Sequence, residues 1–418
     1  MPAPTIQRMA DDDLPAWAAI VANAYPGFGM HAEAERLRFV ERMRAQQAAD
    51  LSAGYFGLSR DGQLLGGMKL FDFQMTLLSA HVLAGGVGLV AVDLLHKKEH
   101  VARDLIAWFL AHYRARGAPI TILYPFRPDF YKQMGFGYGT KMSRYRFLPA
   151  SLPATGNRSR VVELSAQDAE QARACYDRFA SRRHGMIRKT DAEAQRMFAD
   201  PAQRNVGFRE GGELRGYLSF TFDQRGDNPL WNDLEIGELF YESSAALAGL
   251  LAFLRTQADQ VDRIVYSTQE EDFHHLLADP RDGARDFLPW VYHESNTQGV
   301  GLMYRVIDVP AVFRALAGHD FGGQTCTLKL TVRDTFLPAN DGAQLLRFER
   351  GAAQLLAEGD YDVEVRLEVA ELSSLLMGCI SFASLHTYGL AEISDPAYVE
   401  TVTRLFRTER KPMCTTPF

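Results

Sequence analysis

A tyrosine in an aromatic-rich segment is one candidate catalytic residue of this chain. Tyr131 begins the pattern Tyr-Lys-x-x-Gly-Phe, which ends at Phe136. A phenol held beside a leaving group can act as a general acid, because it supplies a proton as the bond breaks. The alternative is a core aromatic residue whose hydroxyl finds a hydrogen-bond partner. The residue type alone leaves both roles open.

The C-terminal end of the chain is a second candidate. The last seven residues, 412–418, contain no charged side chain, include two prolines and end on Phe418. An unperturbed α-carboxyl has a pKa of about 3.3–3.7, so it is an anion at pH 7 that could hydrogen-bond an incoming ammonium. A frayed terminus is the ordinary expectation. The uncharged composition favours instead a tail that packs.

A charged run marks a candidate anion site at the start of a helix. After the apolar strand pattern Gly88–Val92, the chain continues with Lys97, Lys98, Glu99, His100, Val101 and Ala102. Helix N-termini attract anions through free backbone N–H groups and the helix dipole. Lys97 and Lys98 would favour a phosphate there, whereas Glu99 would oppose it. The alternative is the solvated, charged start of an amphipathic helix.

The remaining histidines, cysteines and glycines predict no metal site and no second nucleophile. The four cysteines lie far apart without C-x-x-C spacing, which favours reduced thiols over a disulfide framework or a zinc site. The pair His274-His275 is poorly spaced to hold one metal from one helix face. Gly85, Gly86 and Gly88 lie within a strand pattern, so they predict a bulge or a close approach to the backbone, not a dinucleotide fingerprint.

Length and composition indicate several globular domains. A chain of 418 residues exceeds one ordinary domain, and 47% hydrophobic with 23% charged residues is typical of globular proteins. The net charge of −7 gives no basic footprint for nucleic acid. No apolar stretch is long enough to span a bilayer, and Met1-Pro2-Ala3-Pro4 lacks signal-peptide character. We therefore expect a cytoplasmic protein with no nucleic-acid or membrane partner.

The predicted secondary structure divides the chain into three segments, which must position the candidate site residues. Residues 1–150 show two helical patterns, three strands ending at Val92, a helix from about His96 to Arg114, and a strand at 120–124. Residues 151–300 follow a similar order of elements without a sequence repeat. Residues 301–418 change to an α+β pattern. The sequence thus predicts three domains with these boundaries.

The order strand, charged turn, helix, strand and Tyr-x-x-x-Gly-Phe resembles the acetyl-CoA-binding half of the GNAT-type N-acetyltransferases. The aromatic C-terminal end resembles the Eis (enhanced intracellular survival) branch of that superfamily. The resemblance implies an α/β plus α+β fold class, with two tandem GNAT-like mixed-sheet domains followed by a sterol-carrier-like domain. The turn at 241–244 has neither glycine nor a basic residue, so the second GNAT-like domain is expected not to bind the cofactor. A homo-oligomer is also implied, with a hexamer as the family's example.

The resemblance assigns a cofactor site residue by residue. The backbone groups of Val90, Ala91 and Val92 would pair with the pantetheine arm of acetyl-CoA. The pyrophosphate would lie against the turn formed by Lys97, Lys98, His100, Val101 and Ala102. The family pattern there is Arg/Gln-x-x-Gly-x-Gly/Ala, so Lys97 replaces the arginine and His100 replaces the glycine. A side chain at that glycine restricts how closely the backbone can approach the ligand.

The same resemblance assigns the catalytic roles. Tyr131 would protonate the departing coenzyme A thiolate, and the α-carboxylate of Phe418 would assist the amine. We therefore predict an acetyl-CoA-dependent N-acetyltransferase that acetylates a primary amine directly, without a metal. Aminoglycoside-like polyamines and protein lysines are the implied acceptors, and an acidic chain attracts both. The alternative is a decayed, non-catalytic acetyltransferase that binds an apolar ligand in a tunnel lined by Leu, Val and Phe within residues 322–418.

Overall fold

A computed structural model describes residues 5–49, 52–228, 230–284 and 287–418. Met1–Pro4, on which the expectation about a signal peptide depends, lie outside the described residues. Contacts divide the chain into two compact units. The first unit comprises Met1–Gly139, Leu302–Lys411 and Pro417–Phe418, and the second comprises Thr140–Gly301 and Pro412–Thr416. The boundaries predicted at 150 and 300 stay predictions.

The N-terminal part of the first unit contains four helices and six strands. The helices are α1 (Leu14–Ala24), α2 (Glu33–Ala49), α3 (Val101–Ala115) and α4 (Pro128–Lys132). The strands are β1 (Thr5–Arg8), β2 (Ala53–Arg60), β3 (Gln63–Leu77), β4 (Ala80–Val92), β5 (Ile120–Leu123) and β6 (Gly137–Tyr138). The prediction that α3 begins near His96 is wrong. Lys98 and His100 have φ angles of 69° and 64°, which an α-helix does not accommodate.

Helix α3 packs on the sheet through one apolar face. Leu105, Ile106 and Phe109 are fully buried there, and burial of each such side chain stabilises the fold by about 1.5–3 kcal/mol. The hydroxyl of Tyr113 donates to the Phe71 carbonyl at 2.8 Å and to Asp72 at 2.7 Å. These bonds fix α3 against the strand that carries Phe71, and that strand lies next to the candidate site.

The second unit has its own mixed sheet. Its helices are α5 (Ala169–Ala180), α6 (Asp191–Arg196) and α7 (Ser244–Arg255). Its strands are β7 (Met142–Phe147), β8 (Val161–Glu163), β9 (Arg204–Glu210), β10 (Glu213–Gln224), β11 (Asn232–Tyr241), β12 (Val261–Thr268) and β13 (Asn296–Gly299). The strand order is β13-β7-β12-β11-β10-β9-β8, and β11 and β12 run parallel. Helix α7 connects them, and the Ser243 side chain caps its N-terminus.

The C-terminal segment completes the first sheet and forms a third one. Its helices are α8 (Val309–Ala315), α9 (Val369–Leu376), α10 (Phe382–Thr387) and α11 (Val399–Leu405). Its strands are β14 (Met303–Val306), β15 (Cys326–Arg333), β16 (Gly342–Glu349), β17 (Ala352–Leu356), β18 (Val363–Glu368) and β19 (Ala391–Ile393). Strand β14 lies in the first sheet, ordered β1-β2-β3-β4-β5-β14-β6. The third sheet has the order β17-β16-β15-β18-β19.

Two mixed sheets with helices and a separate third sheet agree with the predicted α/β plus α+β class. Strands β17 and β19 are short and lack a clear alternating pattern, so the sequence alone does not predict them. Among the described residues, no helix is both long enough and apolar enough to cross a bilayer.

Candidate active site

The candidate site centres on the end of the ladder between β4 and β5. These strands pair in parallel from Ala84 opposite Ile120 to Val87 opposite Leu123, and no further. On its other side, β4 stays paired with β3 up to Val92. The stretch 88–92 therefore presents backbone groups on the side where β5 has ended. Unpaired strand edges are ready to bond an extended ligand.

A bulge shapes this open stretch. Lys69 pairs with Gly88 and Gly67 pairs with Ala91, so two residues of β4 lie opposite one residue of β3. Leu89, within the bulge, has a left-handed φ of 49°. The hydroxyl of Tyr25 donates to the Val90 carbonyl at 3.0 Å. One of the predicted pantetheine-binding carbonyls is thus engaged by a side chain that the sequence argument did not single out.

The predicted phosphate turn lies between the end of β4 and α3. His100 stands at the N-cap of α3 with a left-handed backbone and with no capping bond from its side chain. That backbone conformation is the one glycine adopts most easily, so His100 holds a conformation that the family pattern Arg/Gln-x-x-Gly-x-Gly/Ala leaves to glycine. Val101 is 2% exposed, so its side chain packs in the core. The first N–H groups of a helix have no partner within the helix, so the backbone N–H groups of Val101 and Ala102 are the groups suited to bind an anion.

The charges of the turn favour an anion more than the sequence suggested. The Glu99 carboxylate accepts a hydrogen bond from Arg60 at 2.9 Å and lies 3.2 Å from His96. These hydrogen bonds, with Arg60 first, lower the pKa of Glu99. Within the described part of the chain, no carboxylate forms an ion pair with Lys97 or Lys98. The acidic residue of the turn is therefore compensated, and both lysines are available.

The Tyr-Lys-x-x-Gly-Phe pattern is a helix-ending motif. Helix α4 begins with Pro128 and is closed by Gly135, whose φ is 85°. The Gly135 N–H donates to Lys132 O at 3.0 Å, and the Phe136 N–H donates to Tyr131 O at 3.2 Å. This is the Schellman arrangement, and the Tyr131 and Phe136 rings supply its apolar contact, 5.9 Å between centroids. The spacing of the motif thus fixes where the tyrosine points.

A buried ion pair supports the same turn. The Arg305 side chain on β14 is fully buried, donates to the Met134 carbonyl at 2.6 Å and binds Asp334 at 2.7 Å. Removal of one partner from such a pair typically costs about 3–5 kcal/mol, because the other charge stays buried and unpaired. The end of α4 is thereby held rigidly against the first sheet.

The Tyr131 phenol is held in its protonated form. Its side chain is buried, with 3% of the residue exposed. Burial raises the pKa of Tyr131, and the neighbouring Tyr25 phenol raises it further. A neutral phenol is the form that can donate a proton. Because Tyr25 interacts both with Tyr131 and with Val90, it links the open strand to the proposed acid.

The chain end packs beside the open strand. The Phe418 ring lies 4.9 Å from Phe73, 5.5 Å from Phe71 and 5.0 Å from Tyr124, measured between centroids. A Cβ atom placed on Gly88 would stand 3.2 Å from the carboxyl carbon of Phe418. The terminal carboxylate therefore lies directly against the backbone where β5 leaves β4, and a side chain at position 88 would crowd it.

The residues just before the end are packed within the second unit. The Met413 N–H donates to the His184 carbonyl at 2.9 Å, and the Cys414 N–H donates to Gln269 at 2.7 Å. Met413 and Cys414 are 4% and 1% exposed. The tail is therefore packed, as its uncharged composition favours, and it is not frayed.

The structure brings together the predicted strand, the Tyr131 helix and the chain end within the first unit. The sequence argument missed Tyr25 and Tyr124 as neighbours of these groups. Tyr25 lies in the stretch 24–30 that joins α1 to α2, and its aromatic character in a short uncharged loop was the available signal. Tyr124 directly follows Leu123, the last residue of β5. It therefore lies where the pairing between β4 and β5 ends.

The remaining candidates stay outside this site. Within the described residues, no group of three His, Cys, Asp or Glu side chains could hold a metal ion. His274 and His275 lie in a single-turn helix on the surface of the second unit. The third sheet borders a cavity of about 790 Å³ whose lining includes Arg333, Arg366 and Glu371. Such a charged lining does not favour the alternative of an apolar-ligand carrier.

Comparisons with known families agree with this description. Residues 5–139 and 179–306 each match an acetyltransferase (GNAT) domain family, and residues 309–415 match the sterol carrier protein domain family. Over 391 residues the chain is 27% identical to an uncharacterized N-acetyltransferase of Streptomyces griseus, covering 88% of this chain and 89% of the relative.

Two solved structures share the complete fold. A GCN5-related N-acetyltransferase from Anabaena variabilis is 16% identical with a TM-score of 0.80, and 100% of each chain is covered. Eis1 from Mycobacterium abscessus is 20% identical with a TM-score of 0.77, again with 100% of each chain covered. The chain therefore consists of two GNAT acetyltransferase domains followed by a sterol carrier protein domain.

Proposed function

We propose that this protein is an Eis-like N-acetyltransferase that transfers the acetyl group of acetyl-CoA to a primary amine. The observation that carries the proposal is the gap after Val87, where an open strand and the terminal carboxylate lie together. GNAT domains use acetyl-CoA as co-substrate, and residues 5–139 match such a domain, which supports the proposal.

The residues of the N-terminal domain fit the proposed co-substrate. The backbone of Val90, Ala91 and Val92 would pair with the pantetheine arm along the open edge. The N-terminus of α3, preceded by the left-handed His100, would receive the pyrophosphate through backbone N–H groups. Lys97 and Lys98 would add charge, and Glu99 is already bound by Arg60.

A carboxylate would act as the general base and a phenol as the general acid. The Phe418 carboxylate would accept a proton from the incoming ammonium, directly or through a water molecule, and thereby free the amine lone pair. The amine nitrogen would form its bond to the thioester carbonyl carbon, and the carbon–sulfur bond would then break. Tyr131 would give its proton to the leaving sulfur. No covalent enzyme intermediate is needed in this scheme.

The Eis resemblance implies two acceptor classes, aminoglycoside-like polyamines and protein lysines. A cytoplasmic homo-oligomer without nucleic-acid or membrane partners stays the expectation for the assembly. In the second GNAT domain, the turn at 241–244 leads into α7 through the Ser243 cap. We keep the proposal that this domain does not bind acetyl-CoA.

The proposal is tested with N-terminally tagged protein. Calorimetry should detect one acetyl-CoA site per chain, and a thiol-release assay should show amine-dependent formation of free coenzyme A. Mass spectrometry of the acceptor should then show one added acetyl group. Absence of acetyl-CoA binding would refute the proposal, as would thiol release that no amine accelerates.

A further inference from the structure

The second sheet has an apolar face that continues beyond its own core. Phe220 on β10 is 4% exposed and packs in the core with Leu250 and Leu254 of α7. Phe222 lies two residues further along β10 and therefore on the same face, but it is 42% exposed. The two rings meet edge-on, with 5.6 Å between centroids. The apolar face thus extends from the buried core to the solvent.

A cavity of about 660 Å³ lies over this part of the sheet. Small-molecule sites typically have volumes of about 300–1,000 Å³, with apolar and aromatic walls and a few polar groups. The edge strand β8, which pairs with β9 alone, contributes one side of the cavity. The apolar part of the lining consists of three valines and three phenylalanines, Val161, Val162, Val206, Phe220, Phe222 and Phe253. Size and lining are therefore those of a ligand site.

The charges of the lining favour an anion with a single charge. The described lining residues that carry a charge are Arg158, Arg204 and Glu163, two cations and one carboxylate. Arg204 donates to the carbonyls of Pro201 and Gln203 at 2.7 and 3.2 Å. Within the described part of the chain, neither arginine forms an ion pair, and the Arg158 side chain donates to no carbonyl either. The Arg158 guanidinium is therefore the donor that a ligand carboxylate would bind.

Other arginines of the same region are already neutralised. Arg160 lies in the same single-turn helix as Arg158 and is bound by Glu210. Arg209 on β9 is bound by Asp168 at 2.6 Å. The cation beside the apolar walls thus differs from its neighbours, and Arg160 provides a matched comparison for it.

We propose that this cavity of the second unit binds an apolar monocarboxylate, an acid with one carboxylate group and an aryl or alkyl body. The carboxylate would accept hydrogen bonds from the planar guanidinium of Arg158, whose donors match it in a bidentate geometry. The apolar body would lie against Phe222 and Phe253. Glu163 would repel the second charge of a dianion. The proposal does not depend on the acetyltransferase function, because every lining residue belongs to the second unit.

The first experiment compares four ligands by calorimetry with the full-length protein. 4-Phenylbutyrate and octanoate carry one carboxylate on an aryl or an alkyl body, 4-phenylbutan-1-ol lacks the charge, and phenyl phosphate is a dianion. We expect at least one of the two acids to bind, and the tighter of them shows whether the body is aryl or alkyl. A hydrogen bond to a charged group is worth roughly 10- to 100-fold in affinity, so 4-phenylbutyrate should exceed the alcohol by that factor. Phenyl phosphate should bind more weakly than the acids.

Variants then locate the binding in this cavity. Arg158→Ala should weaken the acid by roughly 10- to 100-fold and leave the alcohol unchanged, whereas the control Arg160→Ala should change neither. An aromatic contact is worth roughly 2- to 12-fold, so Phe222→Ala should weaken the acid and the alcohol alike by that factor. Thermal melting checks that each variant is folded.

Three results would overturn the proposal. The first is the absence of binding by both acids at millimolar concentration. The second is equal affinity for 4-phenylbutyrate and 4-phenylbutan-1-ol, because the arginine would then contribute nothing. The third is acid binding that Arg158→Ala leaves intact, which would place the ligand elsewhere on the protein.

Discussion

Replacement of Gly88 by alanine tests how strongly the reaction depends on the position of the terminal carboxylate. Gly88 belongs to β4 and pairs with Lys69. The added Cβ would stand 3.2 Å from the Phe418 carboxyl carbon and 3.4 Å from the Phe71 ring. Carbon atoms prefer separations of about 3.5–4.0 Å. The chain end must therefore move by roughly 0.3–0.8 Å.

A displacement of that size should be visible in the rate. A misplacement of about 1 Å can cost ~10²-fold in rate, so half of that predicts a loss of about tenfold in kcat. Stability should change little, because the Gly88 backbone does not have a positive φ and the gain of about 0.4–1 kcal/mol through the unfolded state opposes the cost of the close contact. Steady-state thiol release with a responsive amine measures kcat, thermal melting measures folding, and calorimetry measures acetyl-CoA affinity.

The chain offers a matched control. Gly237 lies in β11, and the nearest atom to its added Cβ would be the Ser219 carbonyl oxygen at 3.7 Å, an ordinary contact. Gly237→Ala should therefore leave kcat unchanged. Turnover of Gly88→Ala within twofold of the parent would show that the carboxylate position is not critical. An unchanged kcat with acetyl-CoA affinity lowered tenfold would show that Gly88 makes room for the ligand and not for the chain end.

Four other predictions test the remaining groups. Tyr131→Phe should lower turnover by ~10²–10⁴-fold with acetyl-CoA affinity nearly constant in calorimetry; a rate within twofold of the parent would make Tyr131 a core residue. One alanine added after Phe418 shifts the carboxylate by up to ~3.3–3.6 Å, so thiol release should be abolished, and a C-terminal tag should act alike where an N-terminal tag does not. Lys97→Glu should weaken acetyl-CoA binding by about 10- to 100-fold, and unchanged affinity would remove Lys97 from the site. Burial, aided by the Tyr25 phenol, raises the pKa of Tyr131, so the donor stays protonated as the amine loses its proton; the pH–rate profile should therefore show no descending limb below about pH 10, and such a limb near pH 8 would contradict the assignment.

The Tyr131 motif could be predicted because its cause is local. A glycine four residues after the tyrosine closes the helix, and the next residue supplies the apolar contact. Every part of that argument is contained in six consecutive residues. The start of α3 could not be predicted in the same way. Nothing in the local pattern requires His100 to adopt a left-handed backbone, whereas Val101 is fixed by burial against the sheet.

Contacts between distant segments account for most of what the sequence left undetermined. Tyr25 donates to the Val90 carbonyl, which lies 65 positions later in the chain. The local sequence pattern of neither segment predicts this contact. Arg60 compensates Glu99 across 39 positions. The sequence therefore suggested a carboxylate that repels phosphate, and the fold supplies an arginine that compensates it. Spacing identifies the candidate groups, but only the fold shows which charges are paired.

The three glycines of β4 nevertheless carried more information than their composition suggested. Glycine within a strand is unfavourable by roughly 0.5–1 kcal/mol relative to alanine, so three of them in four positions require a cause. A Cβ on Gly85 would overlap the Tyr113 ring, and one on Gly86 would overlap the Phe73 ring. At Gly88 the crowded group is the chain end, together with the Phe71 ring. The three glycines therefore let three rings and the terminal carboxylate approach the backbone of the strand. The sequence predicted a bulge or a close approach at these glycines. The strand has a bulge directly after Gly88, and the groups that approach Gly88 include the carboxylate that we propose as the base.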